Sequence, residues 1–200
     1  MTSSRKWQLI GLNTMYMNLQ RLYVFDQSTA MIEQTAVDEA RRARLREGME
    51  VVGAPVRTML DGGDLDEPTR ESLLPLATWL AAEVEAYFGA HDSSAPLRAQ
   101  AAFGAAHVYA ADNQTTGERR IAEVLGDADE ADRMLQYAPR MMTLVQQANA
   151  AVRACAQGEP GDEEKAFIAD HVRVATGDEA RMLLQIRAVP TMLEGRDPRG

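Results

Sequence analysis

The sequence predicts an all-α protein, and three observations support that prediction. Ala, Leu, Met, Arg, Glu and Gln dominate the chain, and these residues have high helix propensities. Apolar residues recur at spacings of three and four, which is the helical period. Short β-branched runs with alternating polarity are almost absent. We therefore expect one all-α domain over residues 1–194, a helical bundle of about seven to nine helices, followed by a loose tail over 195–200.

Composition excludes several classes of protein. The 200 residues are 46% hydrophobic and 26% charged, which is too apolar for a disordered chain. A net charge of −9 argues against nucleic acid as a partner. No stretch is apolar for long enough to span a membrane. The excess of Arg (19) over Lys (2) indicates a GC-rich bacterial genome, and the absence of a clear signal-peptide cleavage site predicts a cytoplasmic location.

The first segment, residues 5–25, is apolar on nearly every side. Leu and Tyr residues recur along it at spacings of three and four, while Trp7, Ile10 and Met17 occupy other faces. Such a helix is usually buried on several sides, so we interpret it as part of the core. Two alternatives stay open, because a subunit interface or the lining of a ligand cavity needs the same surface. The residues assigned to the interface alternative are Trp7, Leu12, Tyr16, Leu19 and Tyr23.

Capping and breaking residues divide the chain up to residue 125. Glycine and proline end or kink helices, whereas Asp and Ser cap their beginnings. Pro75 is expected to kink its helix or to lie in the first turn. Residues 26–29 offer cap candidates for a helix that ends at Glu47, and a short helix ending at Leu60 follows it. Another helix is expected from Asp66 to Gly89. Two more are expected, one over 95–111 after a Ser94 cap and one over 118–125 after a polar break at 112–117.

The strongest helical pattern follows Asp127, which forms a capping-box-like pair with Glu130. It predicts a long central helix near residues 128–157, with a kink near Pro139. Its eight apolar seam positions are Ala131, Met134, Ala138, Met141, Val145, Ala148, Val152 and Cys155. Two shorter helices are expected to follow, the first from Asp162 to Gly177 and the second from Asp178 to Pro190.

Sequence motifs for common enzyme chemistry are missing. The spacings Glu-x-x-His and His-x-x-x-His, the motif G-x-S-x-G, the P-loop and G-x-G-x-x-G do not occur. Acidic clusters precede several expected helices, where carboxylates cap free N–H groups. The single Cys155 and three His residues cannot form a closed zinc cage. We therefore expect no metal and no cofactor, and the pattern favours a protein that is not an enzyme.

His107 stands alone on an apolar segment, residues 101–111, one turn after Phe103. An imidazole in such surroundings serves as a haem ligand or a general base in some proteins, but no second ligand or base has matching spacing. We interpret His107 as a partly buried, hydrogen-bonded residue between helices, and His91 and His171 as surface residues. If the segment forms a ligand pocket, its candidate residues are His107, Tyr109, Tyr16, Tyr23 and Phe103.

Four arginines, Arg41, Arg42, Arg44 and Arg46, follow one another closely in the second helix. Guanidinium groups bind phosphates and acidic partners. Their spacing spreads the charge around the helix, and Glu39 and Glu47 lie close enough in sequence to pair with them. We interpret the group as a solvated, salt-bridged face.

Two functions are consistent with this sequence. The first is a non-enzymatic interaction or regulatory module that binds protein, as a homodimer through apolar helix faces. The second is a pocket for a small apolar ligand, in a ligand sensor or a cofactor-poor enzyme that uses His107 and a nearby tyrosine.

Overall fold

The computed structural model describes residues 3–89 and 95–199, and within them every regular element is a helix. The predicted all-α class is confirmed, with seven helices in the described part of the chain. Ser94, the predicted cap, and His91 lie outside the described residues. The helices are α1 (Ser3–Glu33), α2 (Glu39–Leu60), α3 (Glu67–Gly89), α4 (Leu97–Leu125), α5 (Ala128–Gln157), α6 (Asp162–Arg187) and α7 (Val189–Leu193).

Helix α1 forms the centre of the bundle and contacts each of the other six helices. Leu12, Leu19 and Leu22 are fully buried, and Met15 between them has no exposed surface either. This burial on several sides explains why α1 lacks the polar face that a surface helix needs. A close approach to α2 occurs at Gly48, where an added Cβ would lie 2.9 Å from Leu19 Cδ2.

The first predicted helix boundary is wrong. Helix α1 continues through residues 26–29 to Glu33, because Asp26 bonds the Arg41 guanidinium (Oδ2 to Nε, 2.7 Å) and does not cap a helix. The turn comes later, and Asp38 caps α2 by accepting hydrogen bonds from the amides of Ala40 and Arg41.

Three further predicted breaks are absent. Helix α2 continues through Gly48 and Pro55. Helix α4 continues through residues 112–117, where two side chains donate hydrogen bonds to backbone carbonyls one turn earlier. Asn113 Nδ2 bonds Tyr109 O at 2.8 Å, and Thr115 Oγ1 bonds Ala111 O at 2.9 Å. Helix α6 continues through Gly177, so Asp178 lies inside a helix and does not cap one. Burial of neighbouring residues, such as Ala175 and Met182 on either side of Gly177, outweighs weak local propensity.

The predicted extents of α3 and α5 are confirmed, with Pro75 inside α3 beyond its first turn and Pro139 inside α5. Asp66 accepts the Thr69 amide at 2.8 Å at the start of α3. Asp127 accepts the Glu130 amide at 3.2 Å, and α5 extends from there to Gln157. Five of the eight seam residues are buried, namely Met134, Met141, Ala148, Val152 and Cys155, whereas Ala138 is exposed.

The end of the chain lies against the beginning of α1. Gly195 is so close to Ser4 that a side chain there would overlap it, and the Arg199 guanidinium lies 5.2 Å from the centre of the Trp7 ring. Residues 195–199 therefore contact the bundle.

Within the described ranges, none of the helices combines the length and the apolar character that crossing a membrane requires.

Candidate functional site

Two clefts flank the place where α1 crosses α4, and Asn13 and Ile121 line both of them. The larger cleft has a volume of about 1030 Å³. Its walls come from α1, α4, the first turns of α5, the last turns of α6, α7 and the C-terminal residues Pro198 and Arg199.

The larger cleft combines an apolar floor with a charged rim. Ile10 and Met17 of α1 face Ile121 and Leu125 of α4, and Leu184 of α6 lies at the mouth with 69% of its surface exposed. The charged rim residues are Lys6, Glu118, Asp127, Glu130, Arg133, Arg187 and Arg199. Several of them neutralise one another or nearby groups, as Arg133 does with Glu130.

One polar atom of this cleft has no partner. Gln185 Oε1 is buried and accepts no hydrogen bond from the described residues. Thr14, also in the lining, directs its hydroxyl to the carbonyl of Ile10 at 2.8 Å. Gln185 Oε1 is thus a buried acceptor beside the cleft that the described residues leave unsatisfied.

The smaller cleft, of about 340 Å³, lies between α1, α2 and α4. Tyr16 lines it together with Arg57, Asn113 and Arg120. Helices α1 and α4 approach closely beside this cleft at Gly117, where an added Cβ would overlap the side-chain amide of Asn13.

A buried polar cluster lies in the core between α1, α3, α4 and α6. The Arg21 side chain is 1% exposed; its Nη1 donates to Asn18 Oδ1 at 3.0 Å and its Nη2 to Met182 Sδ at 3.4 Å. The guanidinium carbon lies 5.4 Å from the ring centre of Phe88, a distance at which a cation is attracted to an aromatic face. Burial lowers the pKa of Arg21.

His107 is the titratable neighbour of this arginine. It is 5% exposed, its Nε2 lies 3.6 Å from Asp178 Oδ2, and its Nδ1 has no partner in the described residues. Desolvation, with a smaller contribution from the Arg21 charge, lowers the pKa of His107 to about 4, and Asp178 only partly opposes this. His107 is therefore neutral at neutral pH.

No family model matches the chain, and no curated protein or solved structure shows significant similarity to it.

The predicted pocket residues do not come together. Phe103 is 1% exposed and stacks on Tyr87, with ring centres 4.8 Å apart. Tyr109 donates to Asn149 Oδ1 of α5 at 3.0 Å, whereas Tyr16 lines the smaller cleft and Tyr23 faces α2. His107 lines neither cleft. Tyr109 follows His107 by two residues and so lies on a nearly opposite face of α4, whereas Tyr16 and Tyr23 belong to α1, which is why proximity in sequence did not produce a pocket.

The five residues of the interface alternative are also divided. Leu12 and Leu19 are fully buried inside this chain, so they offer no surface to a second copy. Trp7, Tyr16 and Tyr23 are half-buried, with Trp7 in the larger cleft.

Sequence reasoning missed Arg21 and Gln185 as site residues. The signal for Arg21 was present, since a charged residue within an apolar helix needs a partner or a special environment. Gln185 carried no comparable signal, because its role depends on the continuity of α6 past Gly177. Among the residues that the structure describes, no three His, Cys, Asp or Glu side chains are grouped closely enough to hold a metal ion.

Proposed function

We propose that this protein is a non-enzymatic binding protein that holds a small, largely apolar molecule in the larger cleft. One observation carries the proposal, namely a concave site of about 1030 Å³ with an apolar floor. Sites for small molecules are typically concave, of about 300–1,000 Å³, and mostly apolar, with few polar groups that fix orientation. The ligand then lies between helices from both ends of the chain.

The unpartnered Gln185 Oε1 narrows the ligand class. A buried acceptor without a hydrogen bond costs about 1–3 kcal/mol, and a ligand N–H or O–H in the cleft removes that cost. We therefore infer an apolar ligand with at least one hydrogen-bond donor.

Binding is favoured over catalysis because the two core groups with lowered pKa values, Arg21 and His107, lie outside the cleft. The neutral His107 and the Arg21 guanidinium are enclosed in the core and do not line the cleft. The carboxylates at the rim have other partners, since Glu130 pairs with Arg133 and Asp127 caps α5. A general acid or base must lie within hydrogen-bond reach of its substrate.

The test uses Nile red, a neutral dye whose fluorescence rises in apolar surroundings. We expect saturable binding by the wild-type chain. Leu184→Glu removes an apolar contact at the cleft mouth, and we expect it to weaken binding about fivefold, the equivalent of about 1 kcal/mol of lost burial. Met142→Glu is the matched control, because Met142 is similarly exposed (62%, against 69% for Leu184) but lies on α5 outside the cleft.

If Met142→Glu weakens dye binding and Leu184→Glu does not, the dye binds the α5 surface and the proposal is wrong. Native mass spectrometry of freshly purified protein gives an independent result. A retained mass of a few hundred daltons that disappears in Leu184→Glu would support the cleft.

A second candidate function, self-association as a homodimer, has its own supporting observation. Leu135 and Met142, seven residues apart and therefore on one face of the first half of α5, are 51% and 62% exposed. Exposed apolar side chains grouped on one helix are typical of interaction surfaces. The surface that we assign to a second copy is therefore this part of α5, because α1 is enclosed in the core.

The same two variants test this candidate with their roles exchanged. Light scattering during gel filtration should show a wild-type dimer that Met142→Glu converts to a monomer and that Leu184→Glu leaves intact. A monomeric wild-type chain at about 100 μM, a concentration well above the Kd of a typical specific dimer, would contradict the homodimer.

A further inference from the structure

The structure divides the four clustered arginines of α2 into three environments. Arg41 pairs with Asp26 and with Glu83. The guanidinium carbon of Arg44 lies 4.0 Å from the centre of the Trp79 ring. These two side chains are engaged, which leaves Arg42 and Arg46.

Arg42 and Arg46, one turn apart, converge on a single phenol oxygen. Nη2 of Arg42 and Nη2 of Arg46 lie 3.4 Å and 3.5 Å from the hydroxyl oxygen of Tyr23. Both guanidinium carbons lie 5.9 Å from the centre of the Tyr23 ring. Two positive charges therefore lie beside one uncharged acceptor.

Among the described residues, a single ion pair neutralises part of the charge of Arg42 and Arg46. Arg42 forms one ion pair, to Glu39 at 3.3 Å, and the Glu39 side chain is 74% exposed. Exposed pairs of this kind contribute little, typically about 0–1 kcal/mol. Within residues 3–89 and 95–199, Arg46 forms no ion pair and the buried Nε of Arg42 has no hydrogen-bond partner.

Such a pair is arranged for an anion with several oxygens. Guanidinium groups donate parallel hydrogen bonds to the oxygens of phosphate and carboxylate groups, and an anion between two of them removes their mutual repulsion. The Tyr23 hydroxyl has a proton to donate to the same anion. Hydrogen bonds from Arg46 and Arg42 also lower the pKa of Tyr23, so the phenol oxygen already experiences their charge.

We propose that Arg42, Arg46 and Tyr23 form a binding site for a phosphate group, either free phosphate or the phosphate of a small monoester. The site lies between α1 and α2, and none of its three residues lines the larger cleft. The proposal is therefore independent of the proposed function, and either one can fail without the other.

Calorimetric titration at low ionic strength tests the site with two probes, inorganic phosphate and phenyl phosphate. We expect millimolar or tighter binding by the wild-type chain and at least a tenfold loss in Arg46→Gln and in Arg42→Gln. Arg44→Gln is the matched control, because it removes the same charge from the same helix and should stay within twofold of wild type. Tighter binding of phenyl phosphate would identify a monoester site, and equal binding a site for free phosphate.

The ionisation of Tyr23 supplies a second measurement. An anion that takes the guanidinium hydrogen bonds raises the pKa of Tyr23, so phosphate should shift the phenolate absorbance of the wild-type chain towards higher pH. Tyr23→Phe identifies the signal of this residue among the five tyrosines. Absence of phosphate binding would overturn the proposal. Equal losses in Arg46→Gln and Arg44→Gln would also overturn it, since they indicate unspecific attraction to a positive helix.

Discussion

The Arg21 guanidinium is a buried cation, and no ion pair with a described residue compensates for its loss of hydration. Its hydrogen bonds go to an amide oxygen and a thioether sulfur, and its flat faces lie near aromatic rings. Removing a charge from water costs several kcal/mol, so these contacts offset only part of the desolvation. The charge of Arg21 also acts on His107, whose protonation burial and Arg21 both oppose.

This arrangement predicts an acid-sensitive fold. The pKa of His107 is about 4 in the folded chain, against a usual value near 6.5 in the unfolded chain. Between these values the unfolded state binds more protons, so the free energy of unfolding falls as the pH falls. Linkage gives a loss of about 2 kcal/mol between pH 7 and pH 5 from this residue, measurable by urea unfolding.

Two histidine variants separate this effect from other titrations. In His107→Gln the contribution is absent, so stability should change less between pH 7 and pH 5 than in wild type. His171→Gln is the control, because His171 contributes less than burial to the lowered pKa of His107, so most of the wild-type acid sensitivity should remain. Equal acid sensitivity of wild type and His107→Gln would refute the assignment.

Arg21→Met tests the other half of the pair. It removes the buried charge while keeping apolar volume, so stability at pH 7 should stay within about 1 kcal/mol of wild type, as for other buried charges replaced by apolar residues. With Arg21 gone the pKa of His107 rises, and the loss of stability at pH 5 becomes smaller. A variant that is equally stable at pH 7 but more acid-sensitive would contradict the coupling.

Among the helices, two internal glycines have opposite surroundings. Gly117 of α4 lies against the Asn13 side chain at the crossing with α1, whereas Gly177 of α6 has nothing within 4 Å of an added Cβ. Alanine has a higher helix propensity than glycine by about 1 kcal/mol. The same substitution therefore has opposite consequences at the two positions.

We expect Gly177→Ala to stabilise the chain by about 0.5–1 kcal/mol and Gly117→Ala to destabilise it by about 1 kcal/mol, because overpacking costs more than the gain in propensity. Urea unfolding measures both. In an Asn13→Ala background the Gly117→Ala substitution should become neutral or stabilising, since the overlap is gone. If Gly117→Ala is stabilising in the wild-type background, α1 and α4 are not as close as described.

The helix termini show how far the sequence predicts this fold. Asp66 and Asp127 were recognised as caps because their side chains bond local amides, and local chemistry is visible in sequence. The breaks expected near Gly177 and at 112–117 did not form, because contacts with distant helices compensate for weak local propensity. The all-α class followed from the spacing of apolar residues and from the composition. The length of each helix depended on its packing against other helices.

The candidate site was less accessible to sequence reasoning for the same reason. Tyr16 was singled out and does line a cleft, but the larger cleft combines residues from α1, α4 and α6 that are up to about 180 positions apart. Gln185 reaches the larger cleft because α6 continues without a break past Gly177. The arginine group of α2 was noticed, but its convergence on Tyr23 depends on the crossing of α1 and α2.

At the scale of the whole molecule, α1 connects all the other helices. It contacts α7 and the C-terminal residues near its beginning and α2 near Leu19, so the two ends of the chain meet on one helix. Loss of α1 removes a packing partner from every other element. We therefore expect the elements to lose their packing together, which is the physical condition for two-state behaviour.

The two tryptophans report on different parts of this arrangement. Trp7 lies at the beginning of α1 beside Arg199, and Trp79 lies on α3 beneath Arg44. We expect Trp7→Phe, which leaves Trp79, and Trp79→Phe, which leaves Trp7, each to give a fluorescence midpoint in urea that coincides with the midpoint from circular dichroism of the same variant. Separate midpoints within one variant would show that the α1 N-terminus and α3 unfold independently, and the single-domain prediction would then be wrong.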